Sequence, residues 1–343
     1  MPKQRIAVGL SGGVDSAVAA ALLLEQGFAV EGVTLLLNDN CSESIIAARA
    51  VCDALRIPHR TVDLRQVFAE HVIAPFYNAY AAGLTPNPCV ACNSAVKFGA
   101  FLDWTLDNGF DGLATGHYAG VAERGGRRNI IKAADRRKDQ SYFLCMLTQR
   151  QLSRAYFPLA DMDKQSARAY ARTRGLPAAE IKDSQDVCFI PGGDCAAFLA
   201  QRLPPTPGFI VDAATDNIVG RHDGVHGYTV GQRKGLGGLG AKKYVRRLDV
   251  KTGTVYVCDN DDLFTPALSA FYANWMAFDP TPAVSFNATA KIRSAAPEVA
   301  CAVTPLAGGR FTVTFETPQR AVTPGQVCAV YDGEVLIAGG VIE

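Results

Sequence analysis

The chain has 343 residues, of which 48% are hydrophobic, and its formal net charge is +1. This length allows two or three domains, and the small net charge excludes a global electrostatic attraction to nucleic acid, so any such partner must be held by local patches. The sequence has no long apolar window and no room for a signal peptide before its first strand, which argues against a membrane span and against export. We therefore expect a cytoplasmic monomer without membrane contact, whose ten cysteines are thiols.

Segments with strand and helix patterns alternate over the first 200 residues. The predicted strands lie at residues 5–10, 30–37, 58–62 and 112–115, and the predicted helices at residues 17–26, 44–55, 66–82 and 95–108. Continuous apolar runs such as Val30 to Leu37 are typical of buried parallel strands. The alternation predicts the α/β class, with a Rossmann-like, doubly wound parallel sheet that binds its ligand at the carboxyl ends of the strands.

From Leu203 onwards the pattern changes to short β segments. A proline-rich linker at residues 204–207 is followed by apolar runs at residues 218–220, 228–230 and 255–257, and then by strand patterns at residues 288–292, 311–315, 327–331 and 335–338. Short strands at regular spacing are typical of a small barrel. We predict three domains: an α/β domain over 1–200, a small β-rich middle domain over 201–263 and a C-terminal β-barrel over 264–343.

The turn after the first strand carries a phosphate-binding pattern. In Leu10-Ser-Gly-Gly-Val-Asp-Ser16, two glycines precede a helix, where free N–H groups and the helix dipole face an anion. Ser11 and Ser16 add hydroxyl groups, whereas Asp15 is unfavourable beside phosphates unless Mg²⁺ or a fixed donor offsets its charge. The missing G-x-x-x-x-G-K-[ST] pattern excludes the kinase and GTPase loop. A plain Gly-rich turn capped by serine is the alternative.

Two further segments carry cysteines suited to chemistry. In Thr85-Pro-Asn-Pro-Cys-Val-Ala-Cys92, a proline-braced loop leads into a helix, and we expect the helix dipole to lower the pKa of Cys92. Cys188 lies in a second loop, at a polar-to-apolar boundary. A C-x-x-C pattern also permits half of a zinc site or thioredoxin-like exchange within Cys89–Cys92. The other seven cysteines are expected to be packing residues.

Seven motifs in order resemble those of one enzyme family. They are S-G-G-V-D-S, T-P-N-P-x-x-x-C-N, A-T-G-H-Y, K-D-Q-S-Y-F-L, K-D-S-Q-D-x-C-F-I, Y-T-V-G-Q-R-K-G-L and T-P-G-Q, running from Ser11 to Gln326. The set resembles the tRNA-specific 2-thiouridylases, within the PP-loop ATP pyrophosphatase (PP-loop ATPase) superfamily. The resemblance implies ATP-dependent 2-thiolation of the wobble uridine in tRNAs for lysine, glutamate and glutamine. It further implies an adenylated uridine, a cysteine persulfide, and release of AMP and pyrophosphate.

The same resemblance implies ligands, partners and residue roles. The ligands are ATP with Mg²⁺, and the partners are tRNA and an upstream sulfur donor, either a relay protein or a cysteine desulfurase. Cys92 is the implied nucleophile and Cys188 the persulfide carrier, and the two form a disulfide during turnover. Implied ATP contacts are Gly9, Leu10, Ser11, Gly12, Gly13, Val14, Asp15, Ser16, Leu35 and Gly116. Implied contacts to the target base or tRNA are Asn87, Pro88, Cys89, His117, Lys138, Asp139, Gln140, Arg293, Ser294 and Gln326.

Some points stay open at this stage. Some family members have Asp where this chain has Cys89, so we assign Cys89 no catalytic role, and we assign no metal ligands within the protein. Two basic stretches, within residues 127–138 and 233–247, could bind RNA phosphates or form solvated loops. A loop around Cys188 is expected to close over the site when tRNA docks. The rival functions are another PP-loop synthase without catalytic cysteines, and a non-enzymatic RNA-binding protein.

Overall fold

The computed structural model describes residues 3–39, 41–181, 187–237 and 242–343. The strands of the first domain are β1 (Arg5–Gly9), β2 (Ala29–Leu36), β3 (His59–Asp63), β4 (Gly112–Ala114), β5 (Ala119–Arg124), β6 (Arg127–Lys132) and β7 (Ala155–Tyr156). A parallel sheet has the order β3-β2-β1-β4-β7. The predicted α/β class is confirmed, and the order reverses between β1 and β4, where such sheets open a crevice for a ligand.

Helices cover this sheet. Those of the first domain are α1 (Val14–Glu25), α2 (Ser42–Leu55), α3 (residues 65–81), α4 (residues 88–107), α5 (Gln149–Leu152), α6 (Lys164–Thr173) and α7 (Cys195–Ala200). The alanine-rich α1 is almost wholly buried because small side chains let it lie close to the sheet. Helix α4 begins seven residues before the predicted start, since Asn87 caps it by accepting from the Val90 N–H at 3.3 Å and Pro88 occupies its first position.

The middle domain is a four-stranded sheet. Its strands are β8 (Gly208–Asp212), β9 (Ile218–His222), β10 (Tyr244–Asp249) and β11 (Thr254–Cys258), in the order β10-β11-β8-β9. Ile210, Val245 and Val255 fill its core. The strand predicted at residues 228–230 is wrong: these residues form a turn, in which the Gln232 N–H donates to the Thr229 carbonyl at 3.0 Å.

The C-terminal domain is a closed antiparallel barrel, as predicted. Its strands are β12 (Phe264–Trp275), β13 (Phe286–Lys291), β14 (Val299–Leu306), β15 (Arg310–Arg320), β16 (Val327–Asp332) and β17 (Val335–Ile342). They follow the order β12-β15-β14-β13-β16-β17, and pairing of β12 with β17 closes the barrel. Alternate inward residues such as Val303, Phe311 and Val330 fill its interior.

The β5–β6 hairpin of the first domain extends the barrel sheet beyond β17. Its flanks are joined to the barrel by ion pairs: Arg124–Asp332, Arg127–Asp279, Lys132–Glu298 and Arg136–Glu334. The Lys132–Glu298 pair, at 2.7 Å, is the most buried, with 9% of the lysine side chain exposed. Much of the first basic stretch therefore neutralises barrel carboxylates and docks one domain on the other. None of the helices in the described residues is long and apolar enough to cross a bilayer.

Candidate active site

The turn between β1 and α1 has a backbone that requires glycine. Gly12 has φ +81°, in the left-handed region, and a Cβ atom added there would lie 2.7 Å from Ala47 Cβ on α2. The Ser16 hydroxyl donates to the Gly13 carbonyl at 3.0 Å and accepts from the Ser11 N–H at 3.3 Å. These hydrogen bonds tie the turn to the start of α1, in a geometry that suits an anion at the helix N-terminus.

A cavity of about 550 Å³ opens beside this turn, at the carboxyl ends of β1, β2 and β4. Seven of the predicted ATP contacts line it: Gly9, Leu10, Ser11, Asp15, Ser16, Leu35 and Gly116. Gly12, Gly13 and Val14 belong to the turn and the start of α1, and the Val14 side chain is buried in the core. The same cavity is also lined by Lys97, His117, Gln140 and Cys188. One cavity therefore joins phosphate-loop residues to a predicted catalytic cysteine.

The charge of Asp15 is offset by a partner that the sequence did not reveal. Lys164, the first residue of α6, donates to both carboxylate oxygens of Asp15 at 2.8 Å. The Tyr118 hydroxyl donates to the same carboxylate at 2.8 Å. This lysine is the fixed donor that a carboxylate beside phosphates requires. No local signal could have found Lys164, because it follows Asp15 by 149 positions.

The segment after β4 packs directly on the start of α1. A Cβ atom added to Gly116 would lie 2.7 Å from the backbone of Asp15 and Ser16, so only glycine allows this approach. The neighbouring His117 is 9% exposed, and its Nδ1 lies 2.7 Å from the Thr115 hydroxyl. Burial lowers the pKa of His117 well below its usual 6.5, so the imidazole is neutral at neutral pH. It lines the cavity interior rather than an outer surface.

Helix α4 places Cys89 in its first turn, exposed, and Cys92 one turn further, where it is buried. Burial raises the pKa of Cys92, and the Lys97 ammonium opposes that rise. The lowered pKa predicted for Cys92 is therefore wrong. The helix dipole acts mainly within the first turn, whereas desolvation disfavours a thiolate in an apolar setting.

Cys188 lies on the cavity wall, followed by buried Phe189 and Ile190. The Phe189 ring packs edge-on against Phe68 and Phe76, with centroids 5.6 and 5.2 Å apart, which anchors this end of the segment. Desolvation raises the pKa of Cys188 to about 11, and the Cys92 thiol is the next largest influence. This influence indicates that the two thiols, 96 positions apart in the sequence, lie within electrostatic range of each other. All ten cysteines lie in the described residues, as free thiols. The motif before Cys188 falls at residues 182–186, outside the described residues.

The segment Lys138 to Gln140 has mainly structural contacts. Asp139 accepts from the Ala133 N–H at 2.9 Å and from the Ser141 hydroxyl at 2.7 Å, which fixes the loop. Gln140 accepts from the Tyr118 N–H at 2.9 Å and lines the cavity. The sequence predicts tRNA contacts at all three positions, and this stays a prediction.

The barrel holds the segment that leads into α4. The Gln326 amide donates to the carbonyls of Thr85 and Pro86 at 3.0 and 3.3 Å, and the Thr85 N–H donates to the Pro324 carbonyl at 2.9 Å. The middle domain touches the same point, since the Thr85 and Thr229 hydroxyls lie 3.5 Å apart. Three domains therefore meet immediately before the cysteine helix.

The remaining predicted tRNA contacts differ in exposure. Arg293 is half-buried and donates to the carbonyls of Ala321 and Val230 at 2.7 and 3.2 Å, and burial lowers its pKa. Its neighbour Ser294 is exposed. In the second basic stretch Lys243 pairs with Asp212 at 2.8 Å, while its Arg233–Lys234 pair is exposed.

Three family models match the chain. They are described as the tRNA methyl transferase HUP domain (residues 4–192), the tRNA methyl transferase PRC-barrel domain (residues 196–259) and the aminomethyltransferase beta-barrel domain (residues 267–342). Together they cover the α/β domain, the middle domain and the barrel.

Full-length relatives carry a different name, tRNA-specific 2-thiouridylase MnmA. The protein of that name from Nostoc punctiforme is 42% identical over 349 residues, which is 99% of each chain. That from Magnetococcus marinus is 44% identical over 98% of each chain, and that from Acetivibrio thermocellus is 39% identical over all of both. The chain therefore belongs to the tRNA-specific 2-thiouridylase family, whose members are tRNA sulfurtransferases.

Proposed function

We propose that this chain converts the wobble uridine of tRNAs for lysine, glutamate and glutamine to 2-thiouridine, in a cytoplasmic reaction that consumes ATP. The observation that carries this proposal is the shared cavity, which Ser11, Asp15 and Cys188 all line. A PP-loop synthase without sulfur chemistry has no use for Cys188 in that cavity or for a second thiol, Cys92, within its electrostatic range. An RNA-binding protein without activity has no use for the phosphate loop.

In our proposal ATP activates the C2 carbonyl of the uridine. The C2 carbonyl of uracil has no leaving group, so O2 must first be activated. In our proposal O2 attacks the α-phosphate in line, pyrophosphate leaves, and the base becomes O-adenylated. The chain contributes mainly position and charge: Leu35 at the adenine, the turn at Gly12 and Gly13 at the phosphates. The hydroxyl oxygens of Ser11 and Ser16 suit Mg²⁺ and would help to hold the ion that accompanies ATP and neutralises its phosphates, whereas both Asp15 oxygens already accept from Lys164.

Sulfur transfer uses the two cysteines. Cys188 receives a sulfur atom from the donor protein and becomes a persulfide. In one variant its terminal sulfur attacks C2, AMP leaves with the former O2, and the Cys92 thiolate then attacks Cys188 Sγ to release the thiolated base. In the other variant Cys92 first displaces sulfide, which attacks C2. Both variants leave a Cys92–Cys188 disulfide, which an external dithiol reduces.

The target base has a defined place in this scheme. Asn87, Pro88 and Cys89 form the start of α4 beside Cys92, so the everted uridine would lie against them. His117 and Gln140 line the cavity, and we propose that they face the uridine or its adenylate rather than the tRNA backbone. The backbone would be held by exposed groups of the outer domains, such as Arg233 and Ser294.

Oxygen labelling tests the adenylation step. A tRNA carrying ¹⁸O at O2 of the wobble uridine is incubated with the chain, Mg-ATP and a sulfur source. Attack of O2 on the α-phosphate requires the label to appear in AMP, with one AMP for each 2-thiouridine. Label released into water, or 2-thiouridine formed without AMP, would contradict the mechanism.

A further inference from the structure

Lys97 lines the cavity and is not among the site residues predicted from the sequence. It lies on α4 between Val96 and Phe98, both fully buried, so its backbone is fixed in the core while its half-buried side chain lines the cavity. Within the described residues it has no carboxylate partner at ion-pairing distance and no side-chain hydrogen bond. The other cation beside the phosphate loop, Lys164, is already bound to Asp15.

Lys97 and Cys92 lie on the same irregular stretch of α4. Residues Cys92–Phe101 form a π-helical stretch of α4, in which hydrogen bonds join residues five apart. This wider turn brings Cys92 and Lys97, which are five positions apart, nearer to one side of the helix than an α-helix would. Stretches of this kind occur frequently at functional sites.

The charge environment shows which groups Lys97 acts on. Desolvation raises the pKa values of the Cys89, Cys92 and Cys188 thiols, of which Cys92 is buried and the other two are exposed, and the Lys97 ammonium acts against the rise at each. The remaining titratable neighbour, His117, is neutral at neutral pH because burial lowers its pKa. Among the described residues, Lys97 is therefore the cation whose charge opposes the pKa rise at all three thiols.

We propose that Lys97 is a catalytic residue whose ammonium stabilises the Cys92 thiolate and the anionic sulfur carried on Cys188. This deepens the proposed function and rests on it for the identity of the sulfur chemistry. The thiolate is the nucleophile in both steps assigned to these cysteines. A buried thiol without a nearby cation would remain protonated, and thiol exchange would be slow.

The test measures alkylation of each cysteine in the full chain. Iodoacetamide labelling is followed over pH by peptide mass spectrometry, without tRNA or ATP. Lys97→Met keeps the apolar stem and removes the charge, and we expect alkylation of Cys92 and Cys188 near pH 7.5 to fall about tenfold, as a shift of one pH unit in the profile implies. Lys97→Arg keeps the charge and should stay within about twofold of the wild-type rate.

Two controls separate the charge effect from damage to the fold. Cys41 lines the same cavity at the start of α2, so its alkylation rate should be equal in all variants. Lys251→Met removes an exposed lysine of the middle domain and should change neither profile. We also expect 2-thiouridine formation by Lys97→Met to fall with the alkylation rate, and to fall further than tRNA-dependent pyrophosphate release does.

Unchanged Cys92 and Cys188 profiles in Lys97→Met would overturn the proposal. So would loss of pyrophosphate release with normal alkylation, because Lys97 would then be a phosphate ligand. A Cys41 rate that falls as much as the Cys92 and Cys188 rates in Lys97→Met would also overturn it, because the effect would then not be specific to these two thiols. If the proposed function is wrong, the wild-type chain would form no 2-thiouridine. The alkylation profiles could still be measured, so the role of Lys97 would be tested independently.

Discussion

The close approach of Gly116 to the start of α1 makes Gly116→Ala a quantitative test of the nucleotide cavity. The added Cβ atom would lie 2.7 Å from the Asp15 carbonyl carbon and the Ser16 nitrogen, whereas ordinary contacts begin at 3.4 Å. Both neighbours are backbone atoms in the first turn of a buried helix, so no side chain can swing aside. The chain must therefore open by about 0.7 Å at this point.

Overpacking of this kind costs about 1–3 kcal/mol, and the free energy of unfolding should fall by that amount. The same displacement moves Ser16 from Gly13 and Asp15 from Lys164, which are the contacts that shape the phosphate site. If an equal free energy is lost from the transition state of adenylation, kcat/KM for ATP falls about 5- to 150-fold.

Two assays check this prediction: urea unfolding, and tRNA-dependent pyrophosphate release over a range of ATP concentrations. Gly224→Ala is the matched control, since its added Cβ would meet open space and its backbone is extended. It should change the free energy of unfolding by less than about 0.5 kcal/mol. Wild-type pyrophosphate release by Gly116→Ala would refute the assignment of this cavity to ATP.

Three further predictions follow from the geometry. Gln326→Leu removes the amide donors that hold the segment before α4, so kcat for thiolation should fall about tenfold with an unchanged tRNA Kd. The control Gln319→Leu in β15 should leave both kcat and Kd unchanged. A raised Kd with normal kcat in Gln326→Leu would instead make Gln326 a tRNA contact. Asp15→Asn removes the anionic partner of Lys164, and AMP formation should fall more than about tenfold; normal ATP turnover would remove Asp15 from the phosphate site. His117 stays neutral in the folded chain, whereas in the unfolded chain it gains a proton as the pH falls through about 6.5. Between pH 7.5 and pH 5.5 the free energy of unfolding should therefore fall by about 1.4 kcal/mol more in the wild type than in His117→Gln. Equal pH dependence of the two proteins in urea unfolding would contradict this.

Local sequence patterns were sufficient to predict much of the fold. The glycine turn at Gly12, the alternation of strands and helices, and the short strands of the barrel all have signals within a few residues of one another. Hydrophobic periodicity placed the start of α4 too late, because Asn87 caps the helix and Pro88 begins it well before its amphipathic pattern. It also failed at residues 228–230, where an apolar run lies in a turn.

Long-range contacts account for what the sequence could not predict. The Lys132–Glu298 pair joins residues 166 positions apart, so the sequence could not show that part of a basic stretch pairs with the barrel. The ion pair between Lys164 and Asp15 likewise joins residues far apart in the sequence, 149 positions from each other. The pKa of Cys92 depends on burial, which depends on how α4 packs and not on its position near a helix start.

The most direct test of the account is mass spectrometry of the wobble nucleoside together with AMP, after incubation of tRNA, Mg-ATP and a sulfur source with wild-type, Cys92→Ser and Cys188→Ser chains. We expect the wild type to form 2-thiouridine and AMP in equal amounts, and Cys188→Ser to form AMP without 2-thiouridine. Cys92→Ser should likewise adenylate without completing a thiolation cycle. Formation of 2-thiouridine by Cys188→Ser at the wild-type rate would contradict the claim that the nucleotide cavity and the two thiols form one active site.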